Sequence, residues 1–222
     1  MTETLGKTEG PPPGPTEDLP ASVNARYKRP FDLAVLVASH LVLAPFLLLY
    51  PLIALLVWLE DRGPIFFRQQ RIGKDGRVFS ILKFRTMVPD ADKFGPDWTL
   101  DSDVRVTKVG RVLRRTALDE LPQLLSIWKG DMSFVGPRAL AVGEQKHLEE
   151  QIPGFQQRLR VPMGLTGLAQ VYNQDDDDQA KLGFDVEYIQ QMSPFLDMKL
   201  LVLSVAYTFR GRWDRRGKKV DG

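Results

Sequence analysis

The longest apolar stretch of the chain covers residues 33–59 and contains no Asp, Glu, Lys or Arg. About 20 consecutive apolar residues are enough to cross a bilayer, so this stretch is long enough to be a membrane segment. The residues that interrupt its apolar pattern are Ser39, His40, Pro45, Tyr50 and Pro51. The pattern therefore predicts a membrane-associated protein.

Basic residues flank both ends of this stretch, at Arg26, Lys28 and Arg29 before it and at Arg62, Arg68, Arg71, Lys74 and Arg77 after it. Cytoplasmic flanks are enriched in Lys and Arg, so both ends are expected on the cytoplasmic side. Pro45, near the middle, removes a backbone hydrogen bond where the chain would have to bend. We therefore predict a re-entrant helix, break and helix over residues 26–62, with Pro45 as the membrane break. A spanning helix and, more weakly, a buried core helix are the alternatives.

Two short apolar runs follow, at residues 65–69 and 78–85, around a turn at 73–76 that contains two glycines. This pattern predicts a β-hairpin. Lys83 and Arg85 are two residues apart in the second strand, so they are expected on one face and are candidates for one anion site. A solvated strand face near anionic lipid headgroups explains the same spacing.

The next pattern predicts a helix from about Asp119 to Trp128. Pro122 fits the first turn of a helix, and Gly130 is a typical stop. Asp119 would then lie at the helix N-terminus, where free N–H groups and the helix dipole favour a carboxylate and help to bind a phosphate. The alternative role for Asp119 is a plain N-cap.

Arginines lie on both sides of the adjacent carboxylates Asp119 and Glu120, at Arg114 and Arg138. A site that holds a pyrophosphate next to a carboxylate nucleophile needs such positive charge to suppress repulsion. The arrangement indicates phosphoryl transfer. A helix with a charged start and scattered surface arginines is the alternative.

The C-terminal part contains another strongly apolar helical pattern over residues 195–209, followed by six basic residues between 210 and 219. An apolar helix that ends in a basic cluster is typical of an interfacial position on anionic lipid, and packing onto the core is the alternative. We predict an α+β, mostly helical protein with four parts. They are a disordered N-terminal segment (1–25), the re-entrant membrane helix (26–62), a small cytoplasmic catalytic domain with the β-hairpin (63–190), and an interfacial amphipathic helix with a basic tail (191–222).

The composition narrows the chemistry. There are no cysteines, which excludes disulfides and thiolate metal sites, and the two histidines, His40 and His147, are isolated. A metal is therefore expected to be a hard cation held by carboxylate and phosphate oxygens, most plausibly Mg²⁺. The net charge of +2 is too small to indicate bulk nucleic-acid binding.

Seven short motifs follow one another along the chain. They are KRPFD (28–32), GPIFFRQ (63–69), KFRTM (83–87), LDELPQ (118–123), KGDMS (129–133), VGPR (135–138) and LTGLAQV (165–171). Their residues and order resemble those of the small monotopic phosphoglycosyl transferases of the bacterial sugar transferase family. The resemblance covers about residues 26–205. The chain departs from the family pattern at three places. Ala44 precedes Pro45 where Ser is usual, and Ala139 follows Arg138 where Pro is common. The segment before Gly164 reads Val161-Pro162-Met163, where an Arg-Pro pair is usual.

The resemblance implies an enzyme that moves a phosphosugar from a nucleoside diphosphate sugar, with uridine the expected base, to polyprenyl (undecaprenyl) phosphate. This is the first membrane step of surface glycan assembly, on the cytoplasmic face of the bacterial inner membrane. It implies that Asp119 is the nucleophile and forms a covalent phosphosugar intermediate, with Glu120 as its partner in general base work. Mg²⁺, with Asp119 among its ligands, would offset the diphosphate charge.

The phosphate-binding residues expected from the sequence are Lys83, Arg85, Arg114 and Arg138. Membrane lipid is an expected partner, and a homodimer is left open. A second hypothesis is a non-catalytic membrane scaffold that presents a basic surface to lipid or to a partner glycosyltransferase. The Asp119-Glu120 pair between arginines separates the two hypotheses, because a scaffold does not need it.

Overall fold

The computed structural model describes residues 25–43, 49–94, 103–173 and 177–209. The α-helices are α1 (Lys28–Leu43), α2 (Leu49–Asp61), α3 (Lys108–Thr116), α4 (Leu124–Lys129), α5 (Val142–Gln151), α6 (Leu168–Tyr172), α7 (Asp178–Gln191) and α8 (Pro194–Phe209). The strands are β1 (Phe66–Ile72), β2 (Val78–Phe84), β3 (Ser133–Val135) and β4 (Gly164–Thr166), and 3₁₀ turns occupy Lys74–Gly76, Ala91–Phe94, Leu118–Gln123 and Phe155–Arg160. The mostly helical α+β class is confirmed.

Strands β1 and β2 form the predicted hairpin. They pair antiparallel, with Phe66 opposite Phe84 and Ile72 opposite Val78. The chain reverses through Asp75 and Gly76, whose φ angles of 55° and 77° lie in the left-handed region that Asp and Gly tolerate. The first strand is longer than the sequence indicated, because pairing continues beyond residue 69 to Ile72.

A second small sheet lies near the middle of the molecule. Strands β3 and β4 pair in parallel, with Ser133 opposite Gly164. The backbones approach closely here, since a Cβ atom added to Gly164 would lie 2.2 Å from the amide nitrogen of Gly136. This close approach brings the segment after β3 alongside β4, and Arg138 forms a parallel bridge with Gly164.

The main hydrophobic core joins the helices to β3. Its fully buried members include Ile127 of α4, Val135 of β3, Leu182 of α7 and Leu200 of α8. A second cluster joins α2 to β2 and α3 through Ile53, Val57, Phe84 and Leu113. The hairpin and α3 are therefore packed against α2, whereas the remaining helices surround β3.

Helices α1 and α2 account for the long apolar stretch. Helix α1 ends at Leu43 and α2 begins at Leu49, and the predicted break at Pro45 lies outside the described residues. One face of α2 packs on the core, while apolar side chains on its other face are exposed, at Leu52, Leu55, Leu56, Trp58 and Leu59. Within the described ranges, no helix combines the length and apolar character needed to cross a membrane. The re-entrant arrangement stays a prediction.

Helix α8 also has two different faces. Asp197, Leu200 and Ser204 are buried against the core, whereas Phe195 is 82% exposed and Val202 is 61% exposed. One face of α8 therefore packs onto the core, which was the alternative considered for this helix. The other face has the apolar character expected of a helix at a membrane surface. The basic residues after 209 and the N-terminal segment predicted to be disordered lie outside the described residues.

A buried charge connects α1 to the rest of the molecule. The Lys28 ammonium group, 2% exposed, donates to Asp197 Oδ2 at 2.7 Å, to the Tyr188 hydroxyl at 2.9 Å and to the carbonyl oxygen of Val135. Tyr188 in turn donates to Asp197 Oδ1 at 2.7 Å. The first turn of α1 is thereby attached to β3, α7 and α8. Neighbouring Asp32 accepts from the Ser133 hydroxyl and the Phe134 amide, which adds a second attachment to β3.

We expect Lys28→Met to lower the free energy of unfolding by about 3–5 kcal/mol, because it leaves the Asp197 carboxylate buried without its cation. The measurement is urea unfolding of the detergent-solubilised protein. The double variant Lys28→Met/Asp197→Leu should recover much of the loss. Lys93→Met is the control, since its ion pair with Asp90 is exposed and contributes little. An unchanged Lys28→Met variant would contradict the assigned role.

Candidate active site

The carboxylate pair lies on a 3₁₀ turn rather than in the first turn of an α-helix. Helix α3 ends at Ala117, whose φ of 55° is left-handed, and the 3₁₀ segment Leu118–Gln123 then leads directly into α4. The predicted helix from Asp119 is therefore regular only from Leu124, and Gly130 ends it as expected, with a φ of 88°. The N-caps of these two helical segments are Ala117 and Gln123, so the capping role for Asp119 is wrong.

The Asp119 carboxyl group is buried. Burial raises the pKa of Asp119 to about 6, and the charge of Glu120 adds to this effect, while Lys83 and Arg114 oppose it. A carboxyl group that is shielded from water, and whose pKa is shifted towards neutral pH as a result, is typical of a functional site. The group is ionised at physiological pH and is surrounded by cations that an anionic substrate can share.

Glu120 brings two of the predicted phosphate-binding residues together. Its Oε1 atom lies 2.7 Å from Lys83 Nζ of β2 and 4.0 Å from an Arg138 guanidinium nitrogen. Glu120 is buried, whereas the Arg138 side chain is 41% exposed at the edge of the site. Lys83 and Arg138 therefore approach the carboxylate pair from the hairpin and from the segment after β3.

Arg114 and Arg85 are held differently. Arg114 Nε donates to Thr86 Oγ1 at 2.8 Å, and its charge acts on Asp119. Arg85 instead donates to Asp61 through both terminal nitrogens, at 2.7 and 2.5 Å. Among the contacts of the described residues, none brings Arg85 to the Asp119-Glu120 pair. The reason is that β2 ends at Phe84, so the alternation expected to align Arg85 with Lys83 stops there.

The last turn of α2 supports these elements from the opposite side. Glu60 accepts hydrogen bonds from the amides of Lys108 and Val109 at 2.6 and 3.0 Å, at the N-terminus of α3. The next residue, Asp61, holds Arg85 directly after β2. Two consecutive carboxylates of α2 thus hold the helix that carries Arg114 and the strand that carries Lys83.

A small open cleft lies beside Glu120 of the carboxylate pair. Its charged lining consists of Lys83, Glu120, Arg138 and Arg71, and Gln123 contributes an amide. The apolar part of the lining includes Ile81, Met132, Ala139 and Leu165. Arg71 and Gln123 were not singled out from the sequence, although Gln123 belongs to the same motif as Asp119. The sequence did contain a signal for Gln123, because it lies three residues after Glu120. In a 3₁₀ turn this spacing places both side chains on the same edge.

The segment that carries Arg138 is held by buried hydrogen bonds to its backbone. The fully buried Arg158 donates to the carbonyl oxygen of Arg138 at 2.8 Å, and it is itself held by Asp185 at 2.8 Å and Gln145 at 3.0 Å. Arg71 donates to the next carbonyl oxygen, of Ala139, at 3.0 Å. The sequence did not reveal Arg158, because an arginine in a polar pattern looks like a surface residue.

The oxygen-bearing side chains near the site decide how the expected Mg²⁺ could be held. No group of three or more His, Asp or Glu side chains that could hold a metal occurs among the residues that the structure describes. Mg²⁺ does not require such a cage, since it is commonly held by one or two carboxylates together with substrate phosphates and water. Asp119, next to cations suited to a diphosphate, fits this mode of binding. The acidic run at 175–178 lies partly outside the described residues, and Asp177 in it caps α7 by accepting from the Ala180 amide.

A family model for bacterial sugar transferases matches residues 23–211. The chain is 40% identical over 209 residues to the UDP-glucose:undecaprenyl-phosphate glucose-1-phosphate transferase of Escherichia coli (strain K12), covering 90% of this chain and 44% of that protein. It is 39% identical over 184 residues to the exopolysaccharide production protein PSS of Rhizobium leguminosarum bv. phaseoli, covering 78% and 90%. The chain belongs to the bacterial sugar transferase family, and the resemblance seen in its motifs is confirmed.

A third relative is named for a different sugar. The chain is 36% identical over 197 residues to the UDP-N-acetylgalactosamine-undecaprenyl-phosphate N-acetylgalactosaminephosphotransferase of Aeromonas hydrophila, covering 87% of this chain and 46% of that protein. The chain thus spans about half the length of the Escherichia coli and Aeromonas relatives. The Escherichia coli and Aeromonas relatives share undecaprenyl phosphate in their names but not a sugar.

We expect Asp119→Asn to raise the melting temperature at pH 7.5. The folded-state pKa of about 6 lies above the ordinary value of 3.8, so the ionised carboxylate destabilises the folded state above pH 6, by up to roughly 3 kcal/mol. The asparagine carries no such penalty. The gain should shrink as the pH falls through 6 and should vanish near pH 4, as followed by thermal unfolding in detergent.

Asp103→Asn is a matched variant for which we expect the opposite change in melting temperature at pH 7.5. A hydrogen bond from Arg105 lowers the pKa of Asp103, so its charge stabilises the folded state at pH 7.5. The melting temperature of this variant should therefore fall at pH 7.5 and approach that of the parent protein as Asp103 becomes protonated. A loss of stability at pH 7.5 in Asp119→Asn, like that in Asp103→Asn, would show that Asp119 has a structural role.

Proposed function

We propose that the protein transfers a sugar phosphate from a nucleoside diphosphate sugar, with uridine as the expected base, to undecaprenyl phosphate. The observation that carries this proposal is the buried Asp119 carboxyl group, whose pKa is raised and on which the charges of Lys83 and Arg114 act. Arg138 lies 4.0 Å from the neighbouring Glu120. The names of the relatives supply the substrate classes, because two of them are transferases that use a UDP-sugar and undecaprenyl phosphate.

In the first step, an oxygen of the Asp119 carboxylate attacks the phosphorus that bears the sugar. A bond forms between this oxygen and phosphorus, and the bond from phosphorus to the bridging oxygen breaks, so that nucleoside monophosphate leaves with the electron pair. Lys83, Arg114 and Arg138 stabilise the charge on the phosphates, and such charge-assisted contacts are most effective where water is excluded. The enzyme then carries a covalent aspartyl phosphosugar.

In the second step, an oxygen of undecaprenyl phosphate attacks the same phosphorus and Asp119 is released as a carboxylate. The product is undecaprenyl diphosphate sugar. Glu120, one residue from the nucleophile, acts as the general base towards the acceptor phosphate, and Lys83 at 2.7 Å offsets its charge. Release of the free carboxylate restores the starting state of the enzyme.

We also propose that Mg²⁺ assists the first step. Asp119 would be its protein ligand, with substrate oxygens completing the set, and the ion would supply charge neutralisation for the diphosphate. The roles of the protein side chains are the same with or without Mg²⁺. Lys83 and Arg138 orient the phosphates, and the buried position of Asp119 limits access of water to the covalent intermediate.

The exposed apolar faces of α2 and α8 support a position on the cytoplasmic face of the bacterial inner membrane. We propose that α1 and α2 form a re-entrant segment, which lets a nucleotide sugar from the cytoplasm and a lipid acceptor meet at one leaflet. Exopolysaccharide assembly is the proposed pathway class, since a relative is named for it. The homodimer stays an expectation.

The function is tested by incubating purified protein with a panel of nucleoside diphosphate sugars, Mg²⁺ and undecaprenyl phosphate. We expect release of nucleoside monophosphate and formation of a lipid-linked product. Asp119→Asn should lose more than 99% of the activity, on the order of a catalytic nucleophile's contribution, because the amide cannot attack phosphorus. Activity of the parent protein should rise with pH through about 6, as Asp119 ionises.

Glu120→Gln should be strongly impaired in transfer to the lipid while it still forms some covalent intermediate, detected by intact-protein mass spectrometry. Glu150→Gln is the control, because Glu150 is exposed on α5 away from the cleft. Full transfer by Asp119→Asn would exclude Asp119 as the nucleophile. No turnover of any donor by the parent protein would leave the scaffold hypothesis in its place.

Membrane topology gives a separate prediction. Single cysteines at Thr16 and at Asp75, the latter exposed in the hairpin turn, should both react with a reagent confined to the cytoplasm and neither with one confined to the periplasm. A re-entrant segment keeps both flanks on one side, as their basic residues favour. Pro45→Ala should give a mixed population. Labelling of Thr16 from the periplasm alone would show that the segment spans the membrane.

A further inference from the structure

The side chain of Gln123 differs from the other buried polar groups of the cleft. Gln123 is only 4% exposed, and it lines the cleft beside Glu120 and Arg138. Throughout the ranges that the structure describes, its side-chain amide has no hydrogen-bond partner, in contrast to Gln145, which accepts from Arg158. The amide atoms are not sealed inside the protein but reach the opening of the cleft, where a ligand can hydrogen-bond to them.

The position of Gln123 indicates what its amide would meet. In a 3₁₀ helix, side chains three residues apart lie above one another, so Gln123 lies one turn beyond Glu120 on the edge that faces the cleft. One turn corresponds to about 6 Å along the helix axis. A phosphate held by Lys83 and Arg138 beside Glu120 would therefore lie about one helical turn from Gln123, within reach of a sugar attached to that phosphate.

The side chains around Gln123 indicate which kind of ligand group its amide would bind. The charges of the cleft are at Lys83, Glu120, Arg71 and Arg138, whereas Ile81, Met132 and Leu165 supply apolar surface near the amide. A neutral amide that can both donate and accept suits a hydroxyl group, which has the same two capacities. The phosphates have Lys83, Arg71 and Arg138 as cations in the same cleft, which leaves the neutral amide of Gln123 for the sugar.

We propose that Gln123 is a sugar-binding residue, whose amide hydrogen-bonds a hydroxyl group of the donor sugar and holds that sugar against the apolar wall of the cleft. This inference deepens the proposed function and rests on it. The amide that lacks a partner within the protein acquires one from the substrate. Gln123 thereby orients the phosphorus towards Asp119 without taking part in the bond changes.

The test compares Gln123→Met, which has similar shape and no amide, with Gln156→Met, where the glutamine is exposed. Binding of UDP-glucose and of UDP is measured by calorimetry in an Asp119→Asn background, so that no turnover is needed. If the donor panel selects another sugar, the UDP derivative of that sugar replaces UDP-glucose. We expect Gln123→Met to weaken binding of the UDP-sugar roughly tenfold and to change binding of UDP less than twofold.

Monodeoxy analogues of the same UDP-sugar identify the hydroxyl group. The analogue that lacks the bonded hydroxyl should bind more weakly than the full sugar to the protein that retains Gln123, and equally to Gln123→Met. The melting temperature of Gln123→Met should not fall, because no hydrogen bond within the protein is lost. Gln156→Met should match its parent in every measurement.

Three results would overturn the inference. They are equal weakening of UDP and UDP-sugar binding, unchanged binding of both, and a drop in melting temperature that accompanies the loss of binding. The proposed reaction is judged separately by nucleoside monophosphate release. If that release occurs and Gln123→Met behaves like its parent, the sugar-binding role alone is wrong. If release is absent but sugar binding depends on Gln123, the role stands and the reaction is wrong.

Discussion

The burial of the Lys28 ammonium group is the interaction on which the rest of the arrangement depends. An amine removed from water must be surrounded by acceptors, and these come from Asp197, Tyr188 and the backbone of Val135. Because Val135 ends β3, the same group that sets the direction in which α1 leaves the core also fixes the strand that precedes Arg138. The position of the apolar segment and the position of an arginine that lines the cleft are thus determined at one point.

The site itself is a place where stability and chemistry conflict. Asp119 would be better solvated, and the fold more stable, if the carboxyl group were exposed. Instead the 3₁₀ turn after Ala117 holds it in a buried position among cations that only partly compensate. Natural proteins depart from locally favourable arrangements mainly at functional sites.

Much of the fold could be predicted from short-range patterns. The hairpin, the apolar helices and the Gly130 stop all follow from periodicity and from turn residues, which act locally. The 3₁₀ turn could not be predicted in this way, because it depends on the left-handed Ala117, a conformation that alanine does not favour. The candidate site was predicted as far as Asp119, Glu120, Lys83 and Arg138. The ion pairs of Arg85 and Arg158 could not be predicted from local patterns, because their carboxylate partners lie 24 and 27 residues away in sequence.

The end of α2 places a constraint of another kind on the enzyme. Glu60 and Asp61 are adjacent, yet one holds the N-terminus of α3 and the other holds Arg85 beside β2. One residue inserted into α2 would rotate both carboxylates by about 100° and move them by about 1.5 Å along the axis. Both contacts would be lost together. The length of α2 is therefore set by the contacts at its end rather than by its apolar sequence, and related chains should tolerate substitutions in this helix far better than insertions or deletions.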